Sequence, residues 1–328
     1  MNTPRHVPLV VTTRGSAVEC VHYGSIAVVD ATGKLVASAG DPHAVTFTRS
    51  ALKPFQALPF VEDGGLAYFG LDGRALAIMC ASHNAEPMHL AVVRRILARI
   101  GAHVSDLRCG SHAPRFYAAT GRVPPRQRWS ALCHNCSGKH VGFLAWCRLH
   151  RRSFREYLDP ASPLQQRIRA TLAHLATGAT LVRGTDGCGA PNYALPLRRI
   201  AQLYRLLAGD EGGALAAVRL AMSRYPKMVS GTGRMDLALV RGGMGDWVAK
   251  GGAAGLQAIG VRSRGLGIAV RIADGNREAL NTATLETLRQ LGLLRKAERV
   301  PLAPFARRAV RNEKGTVVGR IDAKFRLN

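Results

Sequence analysis

Four segments of the chain concentrate side chains able to attack a carbonyl, move a proton or hold a metal. In TFTRSALKPFQALP (46–59), Ser50 and Lys53 stand three residues apart at what reads as a helix start, a spacing that puts hydroxyl and amine on one face. A serine hydroxyl is a poor nucleophile until a base takes its proton, and a lysine that is desolvated or beside another cation can be that base. The plain alternative is a capping serine followed by a solvated first-turn lysine. In MCASHNAEPMH (79–89) an apolar run from Ala75 ends at Ser82 ahead of a helix. There the alternative is a loop or cap hydroxyl, with His83 and His89 solvated.

CHNCSGKH (133–140) holds the pair Cys133 and Cys136 with two histidines and Lys139, and RGTDGCGAPNYALPL (183–197) carries Cys188 in a glycine-rich turn. Thiolates near imidazoles suit Zn²⁺. A redox dithiol and inert buried cysteines are the alternatives. Cys20, Cys80, Cys109 and Cys147 lie in apolar surroundings and are expected in the core. A further candidate is Lys250 in VAKGGAAGLQAIG (248–260), which stands before two glycines and a strand-like run, where its amine could meet a site on the sheet edge; the plain alternative is a surface lysine at a turn.

The elements that must position these groups follow from periodicity. Leu9–Thr12, Ala17–His22, Ile26–Asp30 and Lys34–Ser38 read as short strands separated by turn residues, among them Gly24. From Ser50 the period becomes helical, with amphipathic stretches at Glu86–Ile100, Ser137–His150, Ser162–Thr177, Tyr193–Leu207 and Gly213–Arg224. Strand-like runs return at Leu237–Val240, Gln257–Val261 and Gly267–Ile272, followed by a helix over Arg277–Leu291 and a last strand near Thr316–Ile321. Strands at both ends of a helical middle, roughly 50–230, predict an α+β fold whose terminal segments share one sheet. With no internal repeat and no Pro/Ser-rich linker, 1–328 reads as a single catalytic unit.

Composition narrows the function class. The chain has 328 residues, 47% hydrophobic and 20% charged, which excludes a disordered or fibrous protein. Apolar runs fall short of the ~18 residues of a membrane span, and MNTPRHVPLVV lacks the features of a secretion signal. Seven cysteines cannot all pair, so a reduced, cytoplasmic location is expected. The formal charge of +25 favours anionic partners. However, 38 of the 46 basic residues are Arg, scattered through apolar segments, and the clusters at Arg94-Arg95 with Arg99 and at Arg148 with Arg151-Arg152 have no interleaved aromatic platform. Loose, salt-sensitive adhesion to polyanions is expected, and specific nucleic-acid binding is the non-enzyme alternative.

Jointly, ECVHYGSIAVVDATGKLVASAGDP, TFTRSALKPFQALP, CASHNAEPMH, HNCSGKHVGFL, GTDGCGAPNYALPL, SGTGRMD, KGGAAG and GLGIAVRIADG resemble the bacterial L-asparaginase II family over nearly the whole chain. The resemblance implies a fold similar to serine β-lactamases and glutaminases, which place Ser-x-x-Lys at the start of a buried helix. It also implies hydrolysis of the asparagine side-chain amide, with related Ser-Lys chemistry on glutamine, a β-lactam or a small peptide as the enzymatic alternative. Carried over residue by residue, it groups Ser50 with Lys53 and Ser82 with Lys250, with Ser50 as nucleophile and Ser82 as runner-up. It points to zinc on Cys136, Lys139 and Cys188 with a water as fourth ligand, leaving Cys133 a spectator or a further sulfur. Arg49 is the natural clamp for the substrate carboxylate, Asp186 the partner of its ammonium, and His140 a contact to substrate or metal. A homodimer is implied as well. Two departures stand out: Ala254 replaces a commonly acidic residue, and Asn84-Ala85 replaces Ser-Gly.

Overall fold

The computed structural model describes residues 3–209, 211–294, 300–306 and 308–328. The chain packs into two compact units, each discontinuous in sequence. The first, Met1–Ala51 with Leu195–Gly209 and Ala238–Asn328, is built on one antiparallel sheet. Its strands run in the order Ala309–Arg311, Val317–Ala323, Val7–Arg14, Ala17–Val29, Leu266–Ile272, Leu256–Val261 and Trp247–Gly252, with Leu35–Ala39 pairing beside Ala17–Val29. The registers Val10↔Ala323 and Gly24↔Ile272 join the two ends of the chain, as the strand, helix, strand order predicts. Every residue of Leu256–Val261 is buried, so this strand is covered on both faces. The helix Leu197–Gly209 lies against this strand and its neighbours. A second helix, Arg277–Gln290, is capped by Asn276, whose side chain accepts the Ala279 N–H at 2.9 Å, a contact worth ~1 kcal/mol.

The second unit, Leu52–Ala194 with Asp210–Leu237, is mainly helical. At its centre the helix Gly73–Met79 packs against Pro87–Arg99, Ser137–Leu149, Gly213–Arg224 and Pro226–Val229. Ser137–Cys147 is buried along eleven consecutive residues, apolar from Val141 on, with Ser137, Lys139 and His140 buried in its polar first turn. Gly138 is what admits it: a Cβ there would stand 2.1 Å from the Ile78 carbonyl oxygen. Any side chain would push the helix carrying Lys139 away from the helix whose exit carries Ser82.

Strands and helices in separate blocks make this an α+β fold. Several local expectations are corrected. Ala17–His22 and Ile26–Asp30 are one strand, Ala17–Val29, because Gly24 is not a turn but a point of close approach, where a Cβ would meet the Arg271 carbonyl. Leu237–Val240 is helical, within Met235–Gly242, since four apolar residues carry no period that separates strand from helix. Tyr193 lies in the strand Pro191–Pro196, and the helix starts only at Leu197. Cys20 is exposed, on the part of Ala17–Val29 that runs out beyond the core, whereas Cys80, Cys109 and Cys147 are buried. Burial pushes the Cys109 and Cys147 thiols up to about 12, which keeps them protonated and inert.

Candidate active site

Lys53 opens the α-helix Lys53–Gln56, directly after the 3₁₀ turn Arg49–Leu52 that holds Ser50. Far from being a solvated first-turn charge, Lys53 is fully buried. Its Nζ donates to the Ala81 carbonyl at 2.7 Å and to Ser82 Oγ at 3.0 Å. Ser82 therefore takes its hydrogen bond from the lysine that the sequence groups with Ser50. It sits where Gly73–Met79 has ended, and its N–H donates to the Val229 carbonyl at 2.9 Å.

The two histidines expected in solvent are both fully buried and hold this loop in place. His83 Nδ1 accepts the Ala85 N–H at 3.1 Å, so its proton is on Nε2, which donates to Ser137 Oγ at 2.9 Å; Ser137 in turn donates to the Leu132 carbonyl. Burial, then the charges of His89 and Lys53, hold His83 well below the usual imidazole range. A neutral ring thus ties the Ser82 loop to the start of the Lys139 helix.

Around that helix start lies the sulfur cluster. Lys139 Nζ donates to Cys188 Sγ at 3.0 Å, and both residues are buried. A hydrogen bond from Cys188 holds the Cys136 thiol well below its usual range; burial opposes this, while Lys53 and Lys139 support it. The same bond and burial push Cys188 upward, so the two sulfurs are coupled and Cys136 is the more acidic of the pair. Burial works against charge on Lys139, but the Cys188 and Cys136 sulfurs and Asp186 outweigh it and raise its basicity. Asp186 Oδ2 lies 3.9 Å from Cys188 Sγ and Oδ1 accepts the Gly187 N–H at 3.0 Å. His140 is fully buried, and burial lowers it to about 4. Its Nδ1 pairs with the Tyr157 hydroxyl at 2.8 Å, which is held by the Arg108 N–H at 2.8 Å. Cys133 is buried in the 3₁₀ turn Ala131–Cys133, and the sulfur that interacts with Lys139 and Cys188 is Cys136.

The helical unit thus brings together Lys53, Ser82, Cys136, Lys139, His140, Asp186 and Cys188. The sheet unit carries Arg49, Ser50 and Lys250. Lys250 is not a surface lysine at a turn: it is fully buried in the strand Trp247–Gly252, with Nζ donating to the Gly251 carbonyl at 2.9 Å. Ser50 is 9% exposed. Three non-glycine residues in left-handed backbone flank these groups: Arg49 (φ 46°) beside Ser50, Ala85 (φ 57°) three after Ser82, and Ala254 (φ 60°) four after Lys250. Such backbone costs ~1–3 kcal/mol per residue and collects at functional sites. Sequence reading misses the structural use of His83, Tyr157 and Ser137, because nothing in their spacing signals burial.

No curated protein matches the chain. Among solved structures, Mglu in its native form in 4.3 M NaCl is 16% identical, with 82% of this chain covering 60% of that one at a TM-score of 0.45. A β-lactamase from Mycobacterium bovis is 16% identical over 86% of this chain and 94% of its own, TM-score 0.33. A simvastatin synthase from Aspergillus terreus is 15% identical over 86% and 92%, TM-score 0.36. A family model described as L-asparaginase II matches residues 10–323.

Proposed function

The chain belongs to the L-asparaginase II family, and from that premise we propose that it hydrolyses the side-chain amide of L-asparagine to aspartate and ammonia with a serine nucleophile and a lysine base. The observation that carries the reading is the buried Lys53 amine 3.0 Å from Ser82 Oγ. A fully buried lysine amine bonded to a serine hydroxyl is the kind of pairing a Ser-Lys hydrolase uses.

In the proposed reaction Ser50 Oγ attacks the amide carbon as its proton passes to Lys53 Nζ. Lys53 then returns that proton to the departing nitrogen, which leaves as ammonia. Water, deprotonated by the same amine, cleaves the resulting ester to aspartate and free serine. Ser82, bonded to Lys53, relays the proton and fixes the amine's direction, and Lys250 supplies a second amine for the charge balance. Arg49 suits the substrate carboxylate and Asp186 its ammonium, while His140, neutral at working pH, offers a hydrogen bond without adding charge. The same family resemblance carries a homodimer, and the seven cysteines a reduced, cytoplasmic setting. The described residues include no helix long and apolar enough to cross a membrane.

Among the described residues, no three His, Cys, Asp or Glu side chains converge as a metal site requires. The set formed by Cys136, Lys139 and Cys188 is instead two sulfurs and one amine, buried and in mutual contact. Cys136 and Cys188 as thiolates would cancel the charge of Zn²⁺ and Lys139 as a neutral amine would add none, so the donor types fit the ion, which on binding would displace the proton that Lys139 donates to Cys188 and those of the thiols. These three residues would hold it. When bound, Zn²⁺ supplies an electrostatic anchor for a carboxylate or amine of the substrate.

The function is tested by ammonia release from asparagine and glutamine side by side, with and without chelator. Release from asparagine is expected, and none from either substrate overturns the proposal. Purified protein is expected to carry about one Zn²⁺ per chain, with Cys136→Ser and Cys188→Ser each losing most of it. Elemental analysis returning under about a tenth of an equivalent from carefully handled protein rules the metal out. A Cys133→Ser loss as large as that of Cys136→Ser would replace the ligand set.

A further inference from the structure

The motif SGTGRMD (230–236) has no part in the chemistry above, yet the segment that contains it is laced to the Ser82 loop. The Ser82 N–H donates to the Val229 carbonyl at 2.9 Å, Asn84 Nδ2 to the Thr232 carbonyl at 2.8 Å, and His89 Nε2 to the Lys227 carbonyl at 2.9 Å. At the centre of this row sits Glu86, 7% exposed. Its Oε1 accepts the Thr232 N–H at 2.7 Å and Asn84 Nδ2 at 3.4 Å; its Oε2 accepts the Thr232 hydroxyl at 3.1 Å and faces Lys227 Nζ at 3.3 Å. Burial opposes the charge, but the Thr232 N–H, His89, the Thr232 hydroxyl and Lys227 outweigh it and hold the carboxyl below its usual range. Gly231 (φ 110°) closes the contact, since a Cβ there would stand 2.6 Å from Glu86 Oε1. A buried carboxylate that accepts from one residue through both its main chain and its side chain fixes the distance between two segments.

We propose that Glu86 is the positioning residue for Ser82: its carboxylate clamps Lys227–Arg234 to the loop 82–86 and so keeps the Ser82 hydroxyl on Lys53. The catalytic half of this proposal rests on the amidohydrolase reading above. Glu86 touches neither substrate nor reacting atoms in this role. The polar row is the means: Ser82 is bonded to Val229 three residues before Thr232, so freeing Thr232 loosens the backbone that holds Ser82.

The test uses the full chain with Glu86→Ala, the isosteric Glu86→Gln and the partner change Thr232→Val, read by amide hydrogen exchange and by steady-state kinetics well below each variant's melting temperature. For Glu86→Ala, exchange at the Ser82 and Thr232 amides is expected to quicken together, by about tenfold or more. Its kcat is expected to fall by roughly 10- to 100-fold while KM changes by less than about threefold. Thr232→Val is expected to reproduce part of both effects, and the double variant to add little to Glu86→Ala. If Glu86→Ala does not fold, Glu86→Gln and Thr232→Val must show the coupled exchange and the kcat loss. Wild-type exchange at Ser82 and Thr232 in the folded variants refutes the clamp, and quickened exchange with unchanged kcat refutes the positioning role. A wild-type protein that released no ammonia would remove the functional reading, while the exchange data would still decide the clamp.

Discussion

Lys53→Met is expected to lower asparagine turnover by ~10² to 10⁴, the range that follows removal of a general base. Methionine nearly matches the lysine stem in length, so the loss reports the amine and not the packing. Lys53 Nζ donates to the Ala81 carbonyl and to Ser82 Oγ, so the amine is aimed at a serine hydroxyl by two fixed contacts. The same change leaves the Ala81 carbonyl and Ser82 without this partner, so a stability loss of ~1–3 kcal/mol is expected alongside. Turnover must therefore be measured well below the melting temperature of the variant. Lys53→Arg should be nearly as damaging, because a guanidinium does not release its proton. Normal turnover in Lys53→Arg would reduce Lys53 to a structural contact and send the search for the base to Lys250.

Ser50→Ala is expected to remove essentially all hydrolysis, a fall of at least ~10³, while leaving the fold intact. Without the attacking oxygen only substrate binding and electrostatics remain. Ser82→Ala, assayed in parallel, should cost less, since it removes a relay and not the nucleophile. The bond from Lys53 to Ser82 makes this comparison decisive. More than about a tenth of the wild-type rate in folded Ser50→Ala assigns the attack to Ser82.

The block order of strands and helices is legible in the sequence because hydrophobic period survives without any knowledge of partners. Thus Gln257–Val261 and Gly267–Ile272 read as strands, and the registers then join them to Ala17–Val29. What fails locally fails for physical reasons. Gly24 carries a turn signal, but its missing side chain serves a close backbone approach inside a strand. Leu237–Val240 is too short to show a period. Among the site residues, Ser82, Cys136, Lys139 and Cys188 are visible as reactive types among glycines. Glu86 and His83 are not, because their importance lies in burial and in partners such as Thr232 and Ser137, which stand far away in sequence. The departure at Asn84-Ala85 acquires a physical meaning: Ala85 occupies left-handed backbone that glycine adopts freely, at a cost of ~1–2 kcal/mol, while Asn84 gains a bond to Thr232.

The register Gly24↔Ile272 spans 272 − 24 = 248 residues, and Val10↔Ala323 spans 323 − 10 = 313. On a ribosome adding ~5–20 residues per second, the amino-terminal hairpin is synthesised roughly 10–60 s before the strands that flank it exist. During that interval Ala17–Val29 offers its unpaired edge, with Ile26–Val29 apolar and unburied, to any other extended chain nearby. The helical segment 52–194 has most of its partners close in sequence and is positioned to fold first. Synthesis of this protein is therefore expected to depend on holding the nascent amino terminus apart from its neighbours, and slow translation or crowded overexpression should send it to inclusion bodies by way of that one strand.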